Sequence, residues 1–135
     1  MTDTPKQKLI LIIDDTADFR EIFSLKLGAA GYKVIAASGG EEGIAKIRTE
    51  KPDLVLLDME MPGMNGVETI TAIKNDPIIK DTKVCFLTSY GEVQESQSWL
   101  DNKFAEEIGA VDYIRKTDDF DQILTHVTRL MKELG

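Results

Sequence analysis

Five side chains in this 135-residue chain have the types and positions to do chemistry together. Asp14 and Asp15 follow one short apolar run, Asp58 follows another, Thr88 stands thirty residues beyond Asp58, and Lys116 closes the set. Carboxylates brought together raise one another's pKa, and a hard divalent cation offsets that repulsion. With oxygen donors only, and neither imidazole nor thiolate among them, Mg²⁺ is the natural ion. Such an ion keeps waters and open positions that phosphate oxygens can take. Lys116 and Thr88 can hold the remaining phosphoryl oxygens, and Asp58 can serve as a nucleophile that forms an acyl phosphate. The single histidine, His126, rules out a triad of imidazole ligands, and the single cysteine, Cys85, rules out an intrachain disulfide and a Cys-rich zinc site.

These residues can meet only if the fold brings the ends of several strands to one place. Residues 9–13, Leu-Ile-Leu-Ile-Ile, are too short for a helix and read as a buried strand. Phe19, Ile22, Phe23, Leu27 and Ala30 recur at helical spacing, with Gly31 as the stop. A second strand follows over 32–36. A helix over 41–50 faces Ile44 and Ile47 inward, and Pro52 ends it. Residues 54–57 form a third strand. Pro62, Gly63 and Gly66 mark a loop, and Val67, Ile70 and Ile73 stripe a third helix before Pro77.

The fourth strand covers 83–87. A fourth helix is expected over about 91–108, with Val93, Trp99, Leu100, Phe104 and Ile108 inward and Gly109 as its stop. A fifth strand covers 111–114. Phe120, Ile123, Leu124, Val127, Leu130, Met131 and Leu134 stripe the last helix. Strict alternation of strands and helices implies parallel βαβ units with right-handed crossovers. The expected fold class is therefore α/β, a doubly wound five-stranded parallel sheet between two helical layers. Ligands of such sheets sit beyond the carboxyl ends of the strands, where the five residues stand.

Composition narrows the function. Sixteen Lys and Arg against 24 Asp and Glu give a formal charge of −8, which argues against a broad nucleic-acid surface and against a basic membrane-surface helix. The polar N-terminus followed by five apolar residues is neither a signal peptide nor a membrane span, so a cytoplasmic location is expected. The length suggests one domain over 1–135, with a core of about 8–134 and no output domain in this chain.

At the quoted residues the chain resembles the receiver domains of two-component response regulators, the CheY-like family. The resemblance rests on Asp14-Asp15, on Leu54-Val-Leu-Leu-Asp58-Met-Glu-Met-Pro62-Gly-Met-Asn-Gly66, on Thr88, and on Gly109-Ala-Val-Asp-Tyr113-Ile-Arg-Lys116. It implies the flavodoxin-like (βα)₅ arrangement and phosphoryl transfer to Asp58 from a phosphohistidine on a sensor histidine kinase or histidine phosphotransfer protein. It further implies Mg²⁺ held by Asp15, Asp58 and the Glu60 backbone carbonyl, with Asp14 acting mostly through water. Thr88 and Lys116 would grip the phosphoryl group. Thr88 would then move inward and Tyr113 would swing from exposed to buried, a two-state switch. A downstream effector would bind the face built from the fourth helix, fifth strand and fifth helix. The domain would catalyse only its own phosphorylation and dephosphorylation in a phosphorelay.

The chain departs from the family pattern in places. Thr117 stands where these receivers usually have Pro in a cis bond to the Lys. A non-proline cis bond costs ~2.5–4 kcal/mol, so a trans bond and another loop path are open here. The stretch from Thr88 to Lys116 is several residues longer than in most receivers, with the surplus around 91–104. Glu60 and Tyr90 stand at the two positions that tune acyl-phosphate hydrolysis in the family.

Plainer readings stand beside these. Asp14, Asp15 and Thr16 could merely cap the first helix, Cys85 reads as a small buried hydrophobe, and His126 as a surface residue. A phosphorylation-independent binding module and a small Mg²⁺-dependent phosphatase are the competing functions. The Asp-x-Asp-x-Thr spacing such phosphatases use is absent here. A flavin mononucleotide carrier of the same topology would need a Ser/Thr-Gly-rich phosphate loop after the first strand, where Asp14 and Asp15 stand instead.

Overall fold

The computed structural model describes residues 7–88 and 107–134. Five strands, β1 (Leu9–Ile13), β2 (Lys33–Ala37), β3 (Leu54–Asp58), β4 (Val84–Thr88) and β5 (Asp112–Arg115), form one parallel sheet in the order β2-β1-β3-β4-β5. The described helices are α1 (Ala17–Ala29), α2 (Gly40–Glu50), α3 (Gly66–Lys74) and α4 (Phe120–Leu134), the last being the helix counted fifth from the sequence. The helix expected over 91–108, with Trp99, lies almost wholly outside the described residues, as do Ser89 and Tyr90. No described helix is long and apolar enough to cross a membrane.

Alternation along the strands builds two cores, one on each face of the sheet. Leu11, Ile13, Val55, Leu57, Val84 and Phe86 point to one face and pack with Ile47, Ile70 and Ile73 of α2 and α3. Ile10, Ile12, Leu54, Leu56, Cys85 and Leu87 point to the other and pack with Phe23 and Leu27 of α1 and Ile123, Val127, Leu130 and Met131 of α4. Cys85 is fully buried, and burial pushes its thiol well above the usual range, as suits a small core residue.

Three strands sit one residue later than their apolar runs suggest. Tyr32 does not open β2, because its N–H donates to the Leu27 carbonyl at 3.2 Å while Gly31 donates to Gly28 at 3.0 Å. These two bonds close α1 in a Schellman turn, with Gly31 at φ 104°. At the other end, the ladder runs past the apolar residues, so Asp58 pairs with Leu87 and Thr88 with Arg115. Ile22 is half exposed rather than inward. Successive residues turn about 100° around a helix, which places Ile22 that far from Phe23, at the solvent edge of the Phe23–Leu27 stripe. Ala30 follows α1 as its cap and is exposed as well.

Candidate functional site

The carboxyl ends of the strands are held in register by backbone hydrogen bonds that extend the ladder. Asp14 N–H donates to the Ala37 carbonyl at 3.1 Å, Met59 N–H to Leu87 at 3.0 Å, and Lys116 N–H to Thr88 at 2.8 Å. Asp14, Asp58, Thr88 and Lys116 are therefore fixed on one edge of the sheet by their own or an adjacent main-chain group. The two buried aspartates are also turned locally. Asp14 Oδ1 accepts from the Thr16 N–H at 2.8 Å, and Asp58 Oδ1 accepts from the Glu60 N–H at 3.1 Å. Each is an Asx turn, a side chain bonded to the backbone two residues on. The loop after β3 is closed by a reciprocal cap on α3. Asn65 Oδ1 accepts from the Glu68 N–H at 2.8 Å, and Glu68 Oε1 accepts from the Asn65 N–H at 3.2 Å.

Gly66 lets α3 start directly against β3. A Cβ at Gly66 would lie 2.6 Å from the Asp58 carbonyl oxygen and 2.7 Å from the Met59 Cα.

The expected residues do converge. Carboxylate oxygens of Asp14, Asp15 and Asp58 all lie within 4.8 Å of one another, with Asp15 exposed and the other two buried. Asp14 and Thr88 are shut off from solvent, and Asp58 nearly so. The Lys116 ammonium contacts Asp14 Oδ2 and lies 3.3 Å from Asp58 Oδ2. Burial raises the Asp58 carboxyl to about 6, with Asp14 adding to the rise, while the Glu60 N–H and Lys116 pull it down. All peptide bonds among the described residues are trans, Lys116–Thr117 included, and Lys116 nonetheless reaches both aspartates.

The arrangement suits a hard cation. Its donors are all oxygen, and among the described residues Asp14 Oδ2 is buried with no hydrogen-bond partner, the Lys116 ammonium being set against it. The helix-capping reading accounts for only part of this, since Asp14 Oδ1 does hold the Thr16 N–H at the start of α1. Thr16 stands at the N-cap of α1 without a side-chain hydrogen bond, and the Asp14 and Asp15 carboxylates belong to the acidic cluster.

Tyr113 is half buried against the α2–α3 core. His126 is only partly exposed, its Nε2 lying 2.6 Å from Asp112 Oδ2.

Two contributors escape sequence reasoning. Arg20 donates to the Asp14 carbonyl at 2.7 Å. Phe19 presents its ring to the Lys116 ammonium, 4.5 Å from the centroid. Phe19 is legible only as one member of the α1 stripe, and nothing in the residue order links it to position 116.

The comparisons with known proteins agree with this geometry. A family model described as the response regulator receiver domain matches residues 10–128. The chain is 33% identical over 122 residues to sporulation initiation phosphotransferase F of Bacillus subtilis, covering 90% of this chain and 92% of that protein. It is 35% identical over 128 residues to the phosphate regulon transcriptional regulatory protein PhoB of Pseudomonas aeruginosa, covering 95% of this chain but 53% of that one. The chain thus spans about half the length of that relative. Among solved structures, a CheY-like response regulator receiver domain protein from Methanospirillum hungatei superimposes with a TM-score of 0.80 at 28% identity, covering 96% of this chain and 97% of that one. Vibrio cholerae CheY4 gives 0.78 at 27% identity, covering 92% and 98%.

Proposed function

This chain belongs to the response regulator receiver family of two-component systems, and from that premise we propose that Asp58 accepts a phosphoryl group from a phosphohistidine and thereby switches partner binding. The observation that carries the proposal is the close approach of the Asp14, Asp15 and Asp58 carboxylates with the Lys116 ammonium on Asp58. A carboxylate oxygen of Asp58 attacks phosphorus, the phosphorus–nitrogen bond breaks, and its electron pair stays with the departing imidazole. The product is an acyl phosphate on Asp58. The Lys116 ammonium pairs with one phosphoryl oxygen and the Thr88 hydroxyl donates to another. Near neutrality Asp58 is largely ionised, since its carboxyl titrates at about 6.

Asp14, Asp15, Asp58 and the Glu60 carbonyl would hold Mg²⁺. Bound there, the ion would offset the charge of the carboxylates and of the incoming phosphoryl oxygens. Tyr113, half buried here, would complete its inward swing once Thr88 engages the phosphoryl group. The donor is a sensor histidine kinase or a histidine phosphotransfer protein. The effector meets the face that carries β5 and α4, and both partners meet the chain in the cytoplasm.

The test is intact mass after incubation with Mg²⁺ and acetyl phosphate. Wild type gains one phosphoryl group only when Mg²⁺ is present, and Asp58→Ala gains none. Equal gain by both proteins overturns the assignment of Asp58. Sustained turnover of a generic phosphomonoester would favour the phosphatase instead.

A further inference from the structure

Lys116 has to keep a long, flexible side chain aimed at Asp58 from a loop that lacks the usual proline, and the structure shows what stands beside it. Its ammonium lies 4.5 Å from the centroid of the Phe19 ring, with Asp14 and Asp58 as its anionic partners. The Lys116 side chain is 14% exposed, so water screens this cluster only in part. Phe19 is itself fixed. It stacks on Phe23 with centroids 4.1 Å apart, and Phe23 meets Phe120 in a T-shaped contact with centroids 5.5 Å apart. Phe23 is buried in the core, so the stack is anchored to the fold.

A ring face attracts a cation, and more strongly where water is displaced. An aliphatic residue at position 19 would fill space without that attraction, and the flexible four-carbon stem of Lys116 would be aimed by its carboxylate partners without the ring.

We propose that Phe19 is a positioning residue for phosphoryl transfer. Its ring face confines the Lys116 ammonium to the Asp14–Asp58 side of the site, where the phosphoryl oxygen arrives. The assignment rests on the phosphotransfer reading for its effect on rate, but the contact itself can be measured apart from that chemistry.

The experiment compares wild type, Phe19→Leu and Phe19→Tyr. Leu keeps apolar bulk without a π face, and Tyr keeps the face. The first readout is the NMR shift of the Lys116 ε-methylene protons. Ring current moves them upfield in wild type and Phe19→Tyr, and the displacement is lost in Phe19→Leu. The second readout is the rate of Mg²⁺-dependent phosphoryl gain from acetyl phosphate. It falls about fivefold in Phe19→Leu, within the range a partly desolvated cation–π contact allows, and Phe19→Tyr restores it to within about twofold.

An unshifted Lys116 methylene in wild type overturns the proposal. So does a Phe19→Leu rate equal to wild type, or an equal slowing in Leu and Tyr, which would mark a packing role alone. If wild type gains no phosphoryl group while Lys116 keeps its ring-current shift, the phosphotransfer reading fails and the rate role of Phe19 falls with it. A phosphorylated wild type with an unshifted Lys116 removes the Phe19 proposal alone.

Discussion

Asp58 illustrates how the site is poised at the scale of one residue. Burial lifts its carboxyl from 3.8 to about 6 in the metal-free chain. Between those values the folded chain holds a proton that the unfolded chain has released. Stability contributed by that proton is complete below about pH 4 and is lost as the pH rises through 6. Asp58→Asn removes the buried charge and keeps an oxygen for the Glu60 N–H. Metal-free Asp58→Asn is therefore expected to exceed wild type by about 2 kcal/mol at pH 7. The difference should vanish below about pH 4 in urea unfolding followed by circular dichroism. A gap that widens toward acid would contradict the assignment of the raised carboxyl. Lys116 works in the opposite sense, since its ammonium already offsets part of the negative charge of Asp14 and Asp58. Lys116→Met should bind Mg²⁺ roughly tenfold more tightly by calorimetry, because a competing cation is gone, and should gain phosphoryl groups more slowly. Unchanged affinity would mean that the ammonium does not occupy the ion's territory.

Between elements, the decisive contact is the seating of α3 on the end of β3. The atoms a Gly66 methyl would strike are backbone and cannot turn away. Gly66→Ala should lose about 2 kcal/mol and should also slow phosphoryl gain, because Asp58 shares the displaced peptide. Gly28, near the end of α1, has nothing within 4 Å of such a methyl. Gly28→Ala should add about 0.5 kcal/mol from helix propensity and leave phosphoryl gain unchanged. Urea unfolding and intact mass on both variants separate the two cases. This same scale divides what the residue order discloses from what it hides. The apolar runs reveal β1, β3 and β4 most plainly because those strands are buried on two faces, and the site follows because its residues sit where the runs stop. Strand ends are less legible, since a ladder is bounded by hydrogen bonds rather than hydrophobicity. Tyr32 is apolar enough to open β2, yet its N–H is spent on α1. The grip of Lys116 on Asp14 is hidden for a similar reason. Charge tells that an ammonium belongs with three carboxylates, and the family resemblance gives Asp14 a water-mediated role, but side-chain reach and burial decide its partner.

For the molecule as a whole, the acidic surplus and the buried site pull in one direction. The chain carries a formal charge of −8, and its folded state gathers three of those acids at one edge of the sheet. A cation that binds only the folded form stabilises it by about 2.7 kcal/mol at a hundredfold excess over its dissociation constant. Millimolar Mg²⁺ should therefore raise Tm at pH 7 relative to chelator. The rise should be largely absent in a double variant carrying Asp15→Asn and Asp58→Asn. An equal rise in both proteins would trace the effect to general screening of surface charge.

The hydrogen bond from the Lys116 N–H to the Thr88 carbonyl has a consequence for how such a chain tolerates change. Thr88 and Lys116 are far apart in sequence, yet they are tied directly to each other across two neighbouring strands. Residues can be added or removed between them without breaking that tie, because lengthening a connection adds little entropy cost, about 0.6 kcal/mol per doubling of length. A single residue inserted between Asp112 and Lys116 has no such freedom, since it would turn every following side chain of β5 to the opposite face of the sheet.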